Sequence, residues 1–206
     1  MNSLKSFLYC GLFLLFVINV KAQDDPVRIG FGVGFGQGFN FIGGSDLSAL
    51  TLPIDFADFS VTIRGKSFRF EPTLGYFSYS SSVTYSNPSY TSESDFSNVR
   101  LGAILAFAAS KGSMNYYYGI DIGVILSSES SSSTAPGSTS TDESKTDFFV
   151  GPAIGGEYMF SENFSLGGEI QINYISIGQF NGDSQTDRSE SAVSSRGKIV
   201  LRWYIK

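Results

Sequence analysis

Eight charged side chains could act together in this sequence: Arg69, Glu71, Arg100, Asp121, Glu157, Glu169, Lys198 and Arg202. Each lies out of phase with the apolar residues of its own segment. Arg69 and Glu71 alternate with Phe68 and Phe70, Asp121 with Ile120 and Ile122, and Lys198 and Arg202 with Ile199, Leu201 and Trp203. A period of two is the signature of a β-strand, which sends alternate side chains to opposite faces. Four cations and four anions on one such face predict a charge network that fills and stiffens a barrel interior. The competing chemistry is a polar path for ions or a small solute. Eight strands enclose a space only wide enough for side chains to fill, which favours the filled interior.

Other chemistries lack their residues. The chain has no histidine, which removes the commonest general base and every His-based triad. Its one cysteine, Cys10, lies in the leader, so the mature chain has neither a disulfide framework nor a thiol nucleophile. Without His or a mature Cys, the nitrogen and sulfur ligands on which zinc sites are usually built are missing. The acidic pairs Asp142-Glu143 and Asp183 with Asp187 lack calcium-loop spacing. The glycines from Gly30 to Gly38 are all two apart, which is not the spacing of a nucleotide-binding loop. No cofactor, no metal and no enzymatic activity are expected.

The elements that would hold the eight charges are strands. The first runs over 27–41, with Ile29, Phe31, Val33, Phe35, Phe39 and Phe41 on one face and Gly30, Gly32, Gly34, Gly36 and Gly38 on the other. Seven more follow at about 49–64, 67–85, 96–109, 114–127, 146–160, 164–178 and 194–206. In the second the apolar phase shifts at Ala57-Asp58, which predicts a β-bulge. Pro53, Pro72 and Pro152 each remove one ladder donor. Short connections lie at 65–66, 110–113 and 161–163. Longer polar ones lie at 42–48, 86–95, 128–145 and 179–192. The 128–145 tract is dominated by Ser and Thr, and its composition predicts disorder.

Aromatic residues are 15% of the chain, yet mean hydropathy is only +0.04. Alternation hides apolar content in this way. Aromatics cluster at both ends of the strands: Phe107, Tyr116, Phe160, Phe164 and Trp203 near the short turns, and Phe41, Tyr76, Phe148 and Tyr174 near the long loops. Paired aromatic girdles and alternating loop lengths are expected of a barrel that spans an outer membrane. The fold predicted is all-β, an eight-stranded antiparallel up-and-down transmembrane barrel over 23–206. Residues 1–22 read as a secretory signal peptide cleaved between Ala22 and Gln23. Loss of Lys5 and Lys21 takes the net charge from −5 to −7, which argues against a nucleic-acid partner.

On these residues the chain resembles the PorT-like outer-membrane β-barrels, and in architecture it is similar to the small OmpA-type and OmpX-type barrels. The resemblance rests on the leader, the Gly-aromatic first strand, the eight amphipathic strands and the ending Leu201-Arg-Trp-Tyr-Ile-Lys206. The chain departs from many such barrels by ending in Lys206 rather than an aromatic. The resemblance implies the outer membrane of a Gram-negative-type envelope, with the lipid bilayer as partner. An unidentified surface or envelope protein would meet the external loops. A structural or surface-interaction role is expected; the alternatives are a narrow channel and a soluble lipocalin-like lipid binder.

Overall fold

A computed structural model describes residues 27–42, 57–86, 88–178 and 190–205, with side chains described throughout except at 37–42 and 190. Every element among them is a strand: β1 (Arg28–Ile42), β2 (Ala57–Arg64), β3 (Phe68–Ser86), β4 (Ser89–Lys111), β5 (Met114–Ser133), β6 (Thr141–Met159), β7 (Phe164–Ile177) and β8 (Glu190–Ile205). Each strand pairs antiparallel with the next, and β8 returns to β1, so the sheet closes. Closure removes the edges that an open sheet would leave unpaired.

Side-chain phase decides which face looks in. Phe31, Phe59, Tyr118, Ile120, Ile154, Ile170 and Ile199 are each more than half exposed on the outside. Arg69, Glu71, Asp121, Glu157, Glu169 and Arg202 are all at most 2% exposed inside. This inverts the lipocalin arrangement, whose carrier interior is apolar, and so corrects the soluble lipid-binder alternative. The outward apolar residues of β5 run from Tyr116 to Leu126. Ten steps of about 3.4 Å, tilted by about 40°, give about 26 Å of height, close to the ~25 Å band of a spanning barrel.

Pro72 and Pro152 lie where one ladder lapses and the other continues. Pro72 pairs with Ala103 of β4, while the β2–β3 register skips from Ser60↔Thr73 to Ile63↔Phe70. Pro152 pairs with Ile120 of β5, while β6–β7 skips from Val150↔Tyr174 to Ala153↔Gln171. A residue with no N–H cannot serve both neighbours.

Strands β3 to β6 run further than the sequence suggests. The 86–95 connection is not a long loop: β3 and β4 stay paired to Ser86↔Ser89. The 128–145 tract is not disordered throughout either. β5 and β6 pair up to Ser131↔Thr141, leaving a turn around Gly137 with φ of 80°. Serine composition offers no apolar reward for order. An existing barrel supplies what composition lacks, because each strand extends a ladder already in register. Thr91 and Thr134 bond backbone to backbone at 2.9 Å, and the Ser131 and Thr141 hydroxyls meet at 2.7 Å. β8 also begins earlier than expected, at Glu190. The signal peptide with its cut at Ala22 and Gln23, the upper part of the second strand and most of the 179–192 loop lie outside the described residues. From Ala57 onward β2 pairs with β1 without a bulge.

At the opposite end the connections are tight. Gly65 N–H donates to Phe68 O at 3.0 Å, and Gly112 turns with φ of 59°, a conformation side-chain-bearing residues rarely adopt.

Candidate functional site: the polar lumen

All eight charges singled out in the sequence point into the barrel, joined directly or through neutral side chains between them. At the end near the short turns, Glu157 is the hub. Its carboxylate accepts from Arg69 at 3.2 Å, Arg202 at 3.3 Å, Ser165 at 3.0 Å and the Tyr204 hydroxyl at 2.8 Å. Glu71 bridges the same two arginines: it pairs with Arg69 and accepts from Arg202 at 2.9 Å. Thr62 donates to it at 3.0 Å. Strands β2, β3, β6, β7 and β8 are thereby stitched across the lumen.

Tyr117 of β5 connects this cluster to the next. Its ring lies 4.1 Å from the Arg69 guanidinium, and its hydroxyl accepts from Arg202 at 3.2 Å and donates to Glu169 at 2.5 Å. Glu169 pairs with Lys198 at 2.8 Å and accepts from Gln171 at 2.6 Å. Gln171 accepts in turn from Arg100 at 3.2 Å. Arg100 pairs with Asp121 at 2.6 Å and lies over the Phe149 ring, 4.0 Å from its centroid. Asn173 also donates to Asp121, at 2.9 Å. Buried charges are tolerable only when paired and hydrogen-bonded in this way.

Sequence reasoning left several members out of the eight, Gln171 and Asn173 among them. Asp58 of β2 pairs with Arg196 of β8 at 2.6 Å, and Lys198 approaches it at 3.7 Å. Tyr117 and Tyr204 are the neutral connectors. The signal for Arg196 was its shared phase with Lys198 and Arg202; for Asp58 it was the phase opposite Phe59 and Val61. Tyr117 and Tyr204 share the inward phase of Asp121 and Arg202, and their part in the network went unmarked because a neutral ring adds no charge to count.

β1 supplies no charge to this interior and gives up volume to it. A Cβ at Gly30 would lie 2.8 Å from the Tyr204 ring, and one at Gly36 would lie 2.7 Å from Gly197 O. Gly34 is roomier, with its nearest neighbours at 3.5 Å.

The predicted interface aromatics lie on the outer face. Phe107, Tyr116, Phe160 and Trp203 ring the short-turn end, where Phe160, Phe164 and Trp203 follow one another at centroid distances of 6.0 and 6.2 Å. Tyr76, Phe148 and Tyr174 are exposed at the other end. The Phe41 side chain is outside the description.

No protein-family model matches the sequence, and no curated protein does. Similarity appears among solved structures. One is Ail, the attachment invasion locus protein of Yersinia pestis, with a TM-score of 0.50 and 13% identity over 89% of this chain and 100% of that one. A second structure of Ail, in complex with the heparin analogue sucrose octasulfate, gives 0.50 and 12% over the same shares. Neisserial surface protein A gives 0.48 and 15% over 88% of this chain and 99% of that one. At such identities the likeness is one of fold: a closed eight-stranded barrel of the small outer-membrane kind.

Proposed function

We propose that this chain is an integral outer-membrane barrel with a plugged lumen, a non-enzymatic structural or surface-interaction protein that works through its external strands. One observation carries the reading: an unbroken chain of side-chain contacts runs from Arg69 through Tyr117, Glu169 and Gln171 to Arg100 and Asp121. An ion crossing the lumen would have to break paired contacts between groups that are almost fully buried. The outer apolar face and its two aromatic ends support the membrane assignment. The narrower PorT-like likeness rests on the leader, the Gly-aromatic first strand, the eight amphipathic strands and the C-terminal ending.

The external extension is acidic. It carries Glu93, Asp95, Glu129, Asp142 and Glu143 against Lys145, so it does not suit a polyanion such as the one bound by Ail. Planar-bilayer recording tests the reading. Purified protein is expected to give no steady openings; reproducible unitary currents would refute the plug. Vesicle flotation tests the membrane assignment separately, since a pool that stays at the bottom of the gradient would overturn it.

A further inference from the structure

Above the apolar belt, the outward face of β3, β4, β5 and β6 changes chemistry within one row. Tyr76, Val99 and Leu126 share the last apolar row, and the next is Ser78, Ser97, Ser128 and Ser144. The row beyond reads Ser80, Asp95, Ser130 and Asp142. A depression of about 320 Å³ lies across these rows, rimmed by Tyr76 and Asp95 and walled by serines of β3, β4 and β5. Tyr79 and Phe96, of the opposite phase, contribute its floor.

We infer that this depression binds the saccharide head group of a glycolipid in the outer leaflet. The inference rests on the membrane-embedded reading above. Its volume falls at the lower end of the ~300–1,000 Å³ range of ligand pockets, room for a sugar ring. A sugar presents hydroxyls that both donate and accept, and serine hydroxyls answer both roles. The Asp95 carboxylate accepts from paired hydroxyls. Tyr76, 57% exposed, offers an aromatic face to the ring's C–H edges.

Position selects the source. The site is continuous with the lipid-facing belt, so a ligand whose tail lies along Val99 and Leu126 brings its head to the serine row. Charge selects against a phosphate head. The nearest charged group is Asp95, while Lys145 has the inward phase and pairs with Asp147 at 3.3 Å. Asp95 and Asp142 are two strands apart, about 10 Å, too far to share one cation.

The test uses the purified barrel in detergent, incubated with diglucosyl-diacylglycerol or with phosphatidylcholine of the same acyl chains, and native mass spectrometry to count retained lipid. The glycolipid should be retained over phosphatidylcholine; Asp95→Ala should lower that preference about tenfold, the loss of one charge-assisted contact, and Tyr76→Leu should lower it through loss of the aromatic face. Phosphatidylcholine binding should not change. Each variant must keep the compact, heat-modifiable gel mobility of a folded barrel; Ser128→Leu, which fills the depression without removing a charge, gives an independent third variant. Equal retention of both lipids, or a preference indifferent to all three variants, would overturn the site. Displacement of the glycolipid by equimolar maltose would overturn its lipid origin. Failure of the wild-type protein to float with vesicles would instead overturn the membrane reading beneath it.

Discussion

Arg100→Met should destabilise the folded barrel by about 3 kcal/mol, at the low end of the 3–5 kcal/mol seen when one partner of a buried pair is removed. The structure sets both the size and the limit. The substitution deletes the 2.6 Å bond to Asp121, the 3.2 Å bond to Gln171 and the stacking over Phe149. It leaves the Asp121 carboxylate almost fully buried without a cation, and that orphaned charge is the dominant cost. Asn173 still donates to Asp121 at 2.9 Å, which keeps the loss from being larger. Removing the charge as well, in Arg100→Met with Asp121→Asn, should recover stability to within about 1 kcal/mol of the wild type. Urea unfolding in lipid vesicles measures both variants. Trp203 is the only tryptophan and faces outward at 58% exposure, so its emission reports transfer from lipid to water. A single variant costing less than about 1 kcal/mol, or a double variant as unstable as the sum of the two singles, would refute the account of the lumen as a mutually dependent network.

Three more outcomes follow from the same geometry. Ile120→Arg, in the middle of the outward belt, should cost about 2–4 kcal/mol in vesicle unfolding, whereas Ser132→Arg, beyond the serine row, should cost nearly nothing; equal costs would put the belt elsewhere. Gly36→Ala should lower the yield of the heat-modifiable folded band, because its Cβ would meet Gly197 O and Lys198 Cβ at 2.7 Å, while Gly34→Ala, with 3.5 Å of clearance, should fold normally. Amides in 128–133 and 141–145 should show hydrogen-exchange protection from the paired ladder, and free exchange there would restore the disordered reading.

Much of this molecule was legible before folding. Period-two alternation fixes strands without any partner, because the backbone alone sends Ile120 and Asp121 to opposite faces. The same alternation sorted Arg69, Glu71, Glu157 and Arg202 onto one side, and the aromatic ends set the height of the belt. Strand number and the tight turns at Gly65 and Gly112 were equally local. What alternation cannot contain is the identity of the neighbour across the lumen. Arg202 meets Glu71 across 131 residues and Arg196 meets Asp58 across 138, distances in sequence that only closure brings to bonding range. Closure also decided that the serine tract continues as strand, since a ladder is stabilised by the strand beside it and not by its own composition. Tyr117 gained its role only there, as a ring that reaches both Arg69 and Glu169. The sequence by itself determined the two faces of every strand; the closed sheet alone decided which charge answers which, because pairing across a lumen depends on register and curvature summed over all eight strands.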